Sequence, residues 1–214
     1  MVIKAIFFDF DGTISDSYDL IYGNALKFFS ELGYKVDKKE LRAKLGEKMS
    51  TVLTEMKLKE DVNKIKMQFY SYLMNSVDHA KLNLCVPIRP LKELSKKYPL
   101  TIISNSQTGL TIKCAKKLGV INLFDKIYGA EVFTTKDDLM KKLFKKMNIK
   151  PYEAIYIGDR FSDVRYAKSA GCWAVAIHNK CSWSSRKLIL KEKPDFIIKD
   201  FNGLKRVVER INRD

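Results

Sequence analysis

Residues 6–17, IFFDFDGTISDS, decide the fold of this 214-residue chain. A β-branched and aromatic run (Val2, Ile3, Ile6, Phe7, Phe8) leads into two carboxylates, Asp9 and Asp11, and Gly12 and Thr13 follow at once. An apolar run closed by Asp-Gly reads as a buried strand stopping at a turn. Acidic residues are poor strand formers, and two so close repel unless something cationic sits between them. A hard divalent cation such as Mg2+ wants that arrangement: one or two carboxylates, a backbone carbonyl, and positions left for water and phosphate. An Asp in such a place can also attack phosphorus and carry the phosphoryl group as an aspartyl phosphate.

Past this stretch the apolar spacing becomes helical. Tyr18, Ile21, Tyr22, Ala25, Phe28, Phe29 and Leu32 mark a helix over about 17–32, and Gly33 supplies its stop. Further helices are expected over 38–45, 50–57 and 61–80, with no strand among them, so 17–82 reads as a small helical bundle. Pro87 and Pro90 punctuate a linker ahead of a helix at 91–97. Strands at 100–104, 127–129, 153–157, 172–177 and 196–198 then alternate with helices at 110–118, 138–147, 164–170 and 204–211. Such alternation argues for a parallel sheet covered on both faces. The strand at 2–9 has to join that sheet across the bundle. The expected fold class is therefore α/β: a Rossmann-like, doubly wound parallel sheet built from 1–16 and 83–214, with an α-helical bundle, 17–82, inserted into it.

In open parallel sheets ligands bind beyond the carboxyl ends of the strands, so the residues after each strand matter most. The strand at 100–104 ends in Ser104 and Asn105, where a hydroxyl and backbone N–H groups can hold phosphate oxygens. Taken alone, Ser-Asn-Ser is also an ordinary loop. Lys136 precedes a helix and follows Thr134 and Thr135; a lysine there can neutralise a phosphate and a carboxylate together. The last signal is sharper. The strand before Gly158 runs into Asp159, and Asp163 follows in GDRFSDV. Glycine permits the tight turn that aims Asp159 into the cleft, and Asp163 lies near a helix start, where negative charge is tolerated.

With these four signals in order, the whole chain resembles the haloacid dehalogenase superfamily in its phosphatase form. The first motif, DxDGT, is matched at Asp9 to Thr13, the second by Ser104, the third by Lys136, and the fourth, GDxxxD, by Gly158, Asp159 and Asp163. The helical insert resembles the C1 cap of the phosphoglycolate phosphatase-like branch. The chain departs from the family pattern at Asp137, where a Pro is usual, at Arg160, where a Ser is common, and in the segment 86–90, which lacks a glycine. The resemblance implies that Asp9 is the nucleophile and Asp11 the general acid and base. It implies a Mg2+ cofactor held by Asp9, the Asp11 carbonyl and Asp159, with Asp163 beside them. Ser104, Asn105 and Lys136 would stabilise the transferring group. The expected substrate is a small phosphorylated metabolite. In the capped branch, selectivity is expected from the turn Leu45–Met49, with Lys48 pairing a substrate acid and Glu47 rejecting charge or binding a hydroxyl.

Composition bounds the alternatives. Hydrophobic residues make up 46% and charged residues 30%, enough apolar content for a core. No apolar run approaches a membrane span, and the N-terminal run lacks a signal-peptide cleavage pattern. Four widely spaced cysteines form no CxxC pair, which favours reduced thiols and a cytoplasmic setting. The net charge of +15 fits an anionic substrate or a nucleic acid, but the lysines are scattered and interrupted by acids, so a solvated surface is favoured. A phosphomutase would use the same residues. A basic nucleic-acid-binding protein without catalysis would leave the four acidic motif positions without purpose. A dehalogenase needs no second carboxylate at Asp11. Oligomeric state, monomer or dimer, is not legible.

Overall fold

The computed structural model describes residues 2–44, 46–56 and 61–213. The quoted stretch opens with β1, Ala5–Phe8, shorter at its start than the expected strand and buried at every position. It stops at Asp9 because the chain turns sharply there, with the N–H groups of residues 13–15 converging on the Phe10 carbonyl. A two-residue strand, β2 (Ser15–Asp16), follows. Helices α1 (Tyr18–Glu31), α2 (Lys38–Lys44), α3 (Met49–Glu55) and α4 (Val62–His79) come next. They fall where the apolar spacing places them; the expected ends at Leu45 and Lys57 lie outside the described residues. Asp61 caps α4 by accepting the Lys64 N–H at 2.8 Å, and α4 buries Ile65, Phe69, Leu73 and Val77 along one face. Phe28 and Phe29 of α1 meet Phe69 at ring distances of 5.3 and 5.9 Å. Full burial of each such ring contributes about 2–3 kcal/mol.

The chain leaves this helical block through β3, Asn83–Leu84, which pairs antiparallel with β2. Ser15 therefore lies opposite Leu84, and both crossings of the chain sit side by side. This two-stranded ribbon escaped the sequence reading because two residues show no period. α5 (Arg89–Leu94), β4 (Leu100–Ile103), α6 (Thr108–Lys117), β5 (Lys126–Tyr128), α7 (Lys136–Lys146), β6 (Ala154–Gly158) and α8 (Phe161–Ala170) follow. β7 (Trp173–Ile177), α9 (Arg186–Lys191), β8 (Phe196–Ile198) and α10 (Phe201–Arg213) complete the chain. Helix α9 was not anticipated. Helices α6, α7, α8 and α10 begin two to three residues earlier than expected; α6 and α7 open on polar residues, which an apolar pattern does not register. That shift makes Lys136 the first residue of α7 and puts Asp163 in the first turn of α8.

The sheet is six-stranded and parallel, in the order β5-β4-β1-β6-β7-β8. Alternate residues of β1 face opposite layers. Ile6 and Phe8 pack with residues of α5, α6 and α10, while Ala5 and Phe7 pack with residues of α7, α8 and α9. The sheet is thus doubly wound. The apolar interior of α1–α4 is continuous with the first of these layers. The strand order reverses at β1, so the ends of β4, β1 and β6 open onto one crevice. All four cysteines are buried and free. Among the described residues no helix is long and apolar enough to cross a membrane.

Candidate active site

Three adjacent strand ends supply the carboxylates and hydroxyls of the crevice. Asp9 follows β1 and donates its N–H to the Ile157 carbonyl at 2.8 Å, which ties it to the end of β6. Asp159 follows β6 and is fully buried. Asp163 is brought back beside it by the first turn of α8. Gly158 is required here, since a Cβ would lie 2.3 Å from the Asp163 carboxyl carbon. Gly12 has φ +82°, and a Cβ there would lie 2.6 Å from Asp159 Oδ2. Carboxylate oxygens of Asp9, Asp159 and Asp163 lie within 4.8 Å of one another. Thr13 Oγ1 bridges the first two, donating to Asp9 Oδ2 or Asp159 Oδ1, both at 3.4 Å.

Lys136 enters from α7. Its ammonium donates to Asp9 Oδ1 at 2.6 Å, to the Tyr156 hydroxyl at 2.7 Å and to Asp163 Oδ1 at 2.9 Å. Burial alone would lower its pKa, but the Asp163 and Asp9 carboxylates reverse this and hold it above the usual lysine range. One ammonium does not balance three buried carboxylates. Burial, followed by repulsion from Asp163 and Asp11, pushes Asp9 up to about 7 despite Lys136. Asp159 is raised well above its ordinary value by burial, then by Asp9 and Asp163. A close cluster of buried, oxygen-only, net anionic donors is the donor set of a hard divalent cation, and these residues fit one.

Asp11 points away from that cluster. Its carboxylate accepts from Ser17 Oγ at 2.6 Å, Ser106 Oγ at 2.8 Å and Ser104 Oγ at 3.2 Å. Burial raises its pKa, and the three hydroxyls offset only part of the rise. A carboxyl whose pKa burial raises, and which three hydroxyls hold in place, is suited to general acid–base work.

Six residues singled out from the sequence (Asp9, Asp11, Ser104, Lys136, Asp159, Asp163) therefore converge. Asn105 lines the same cavity, but its amide is spent on the Gly46 carbonyl at 2.8 Å, joining this loop to the turn before α3. Glu47 also lines the cavity. Lys48 does not: its ammonium donates to the carbonyls of Ala130 (2.8 Å) and Phe133 and stands 4.2 Å from the Phe133 ring centre. These contacts join the turn before α3 to the core segment that follows β5. Arg160 is buried at the cavity edge, its guanidinium packed against Gly46.

Sequence reasoning missed Ser17, Ser106, Tyr156 and Trp183. Ser106 stood inside the quoted Ser-Asn-Ser run and was the most accessible of these. Tyr156 sits mid-strand, where an aromatic residue signals only packing. The Trp183 backbone N–H donates to Asp159 Oδ2, a contact that nothing in its loop announces.

The chain is similar to known proteins over nearly its whole length. The family model described as haloacid dehalogenase-like hydrolase matches residues 6–177. A protein from Caldanaerobacter subterraneus subsp. tengcongensis, with the provisional name pyrophosphatase PpaX, is 26% identical, covering 100% of this chain and 98% of its own. A phosphoglycolate phosphatase of Neisseria meningitidis is also 26% identical, over 92% of this chain and 89% of its own. Among solved structures, a haloacid dehalogenase-like family hydrolase from Streptococcus pneumoniae superposes with a TM-score of 0.81. It is 28% identical, covering 96% of this chain and 98% of its own.

Proposed function

We propose, from the premise that the chain belongs to the haloacid dehalogenase-like hydrolase family, that it is a Mg2+-dependent phosphatase acting through an aspartyl phosphate. Its substrate is a small phosphate monoester, as in the phosphoglycolate phosphatases it resembles. The observation that carries this reading is the pairing of two differently placed carboxylates. Asp9 sits against Lys136 in the anionic cluster, and Asp11 sits apart among three hydroxyls.

In this reading Asp9 attacks phosphorus and the ester P–O bond breaks. The departing oxygen takes the Asp11 proton. Asp11, now a carboxylate, takes a proton from water, which attacks the phosphoryl-enzyme and releases Asp9 and inorganic phosphate. Lys136 stabilises charge on the transferring group and also fixes the Asp9 carboxylate, while Ser104 acts through the hydrogen bond that it donates to Asp11. Asp9, the Asp11 backbone carbonyl and Asp159 would hold Mg2+, with Asp163 beside them. When bound, the ion supplies charge neutralisation and Lewis-acid stabilisation for the phosphoryl oxygens. Residues 17–82 form the cap over the core made by 1–16 and 83–214, and closure excludes bulk water.

The test is Mg2+-dependent phosphate release from p-nitrophenyl phosphate, together with a hydroxylamine-sensitive phosphoryl label trapped on Asp9. Turnover that is unchanged in excess chelator, or that leaves no label under single-turnover conditions, overturns the reading. Asp11→Asn separates the acid role from the rest. Turnover of an alkyl phosphate should fall roughly 10²–10⁴-fold, the usual range for a general acid. p-Nitrophenyl phosphate, whose leaving group hardly needs a proton, should lose clearly less. Equal losses on both substrates would remove Asp11 from that role.

Metal binding also has a signature in stability. Without metal, folded Asp9 keeps a proton up to about pH 7, whereas the unfolded chain gives it up near 3.8. Folding stability therefore falls as pH rises through that window, because the folded state binds more protons there. A cation that prefers the ionised carboxylates reverses the trend, adding about 2.7 kcal/mol at a concentration a hundred times its Kd. Mg2+ is thus expected to raise Tm more at pH 8 than at pH 5. A shift of equal size at both values would place the ion away from these carboxylates.

A further inference from the structure

The crevice above Asp9 has two halves that differ in chemistry. The floor is polar: Asp9, Asp11, Ser106 and Lys136. The roof is apolar. It is made by Ile21 of α1, Leu41 of α2, Met49 and Val52 of α3, and Phe69 and Leu73 of α4. All six are buried.

The roof offers little to a second anion. Its lysine, Lys44, is held between Glu40 at 2.7 Å and Glu55 at 2.8 Å. Lys48 is committed to backbone carbonyls on the core. Arg160 comes from the core side and packs against Gly46. Glu47, also in the lining, adds negative charge. The Tyr70 hydroxyl is the remaining polar group of α4 in the lining.

We propose that this roof selects phosphate monoesters whose leaving group is an uncharged apolar body, a short alkyl or aryl alcohol, over esters of small acids such as glycolate. The proposal rests on the phosphatase reading and names its substrate class. A carboxylate brought under six apolar side chains would give up its water to them and would meet Glu47. An alkyl or aryl group would instead exchange water for close contact with those side chains.

The experiment is a homologous series. With Mg2+ present, kcat/KM is measured for methyl, propyl, butyl and benzyl phosphate and for phosphoglycolate. Each methylene that enters the roof should raise kcat/KM by about fourfold until the cavity is full, the transfer value of one buried methylene. Benzyl phosphate should exceed phosphoglycolate by about tenfold or more. A flat series, or phosphoglycolate as the better substrate, overturns the proposal and leaves the phosphatase reading standing. Failure to hydrolyse every ester, p-nitrophenyl phosphate included, overturns the phosphatase reading instead. Calorimetric binding of methyl-, propyl- and butylphosphonate against phosphonoacetate then decides the roof, with affinity rising along the series in support and a flat series against. Val52→Thr, nearly unchanged in shape, should lower the benzyl-to-methyl ratio by about fivefold to tenfold. An unchanged ratio overturns the assignment of selection to the roof.

Discussion

Asp9→Asn is expected to lose turnover by roughly a thousandfold or more on every phosphate ester while keeping the fold, because an amide of the same shape is no nucleophile toward phosphorus. Uniformity across substrates is the informative part. Asp9 touches only what all esters share, so good and poor leaving groups should suffer alike. Stability should move the other way. Asp9 is raised to about 7 because burial and its acidic neighbours outweigh Lys136. Removing its charge at pH 8 therefore relieves a burial cost and a repulsion that together exceed the attraction it gives up, and the metal-free variant should melt no lower than the parent. Its Mg2+-dependent rise in Tm should shrink, since one oxygen donor is lost. Residual turnover above about one per cent of the parent would mean that another group attacks phosphorus.

Lys136→Ala carries the largest expected cost in stability. The side chain is 3% exposed, and its ammonium serves Asp9, Tyr156 and Asp163 at once. Taking one partner from a buried ion cluster leaves uncompensated charge, which typically costs about 3–5 kcal/mol. For a chain of this size that is a fall in Tm on the order of 10 °C. The loss should be greater at pH 8 than at pH 5, because protonation of the stranded Asp9 relieves part of it. Mg2+ should recover part of it by supplying positive charge. Turnover should fall as well, since Asp9 loses the contact that orients it. An unchanged Tm at pH 8 without metal would show that the ammonium does not hold the cluster together in solution.

Much of this site was legible because its signals are local. An apolar strand ending in Asp-x-Asp-Gly-Thr, and another ending in Gly-Asp, record where the backbone stops, turns and presents carboxylates. Strand–helix alternation from residue 100 onward gave the parallel sheet for the same reason, since burial on two faces leaves a pattern in each strand. Ser104 and Lys136 were weaker, because one hydroxyl or one lysine after a strand resembles many others. They were found through their order along the chain.

The rest depended on contacts between distant parts of the chain. The sequence alone determined that carboxylates stand at the ends of β1 and β6, because turn chemistry and strand burial act over a few residues. Only the tertiary structure decided what each carboxylate touches. Lys136 meets Asp9 across 127 positions, and Ser106 meets Asp11 across 95. The same holds for Lys48, which the turn sequence offered to the cavity and which the carbonyls of Ala130 and Phe133 claimed instead. A flexible cation goes to the nearest unpaired oxygens, and which oxygens are nearest is fixed only when the sheet and the helical block pack together.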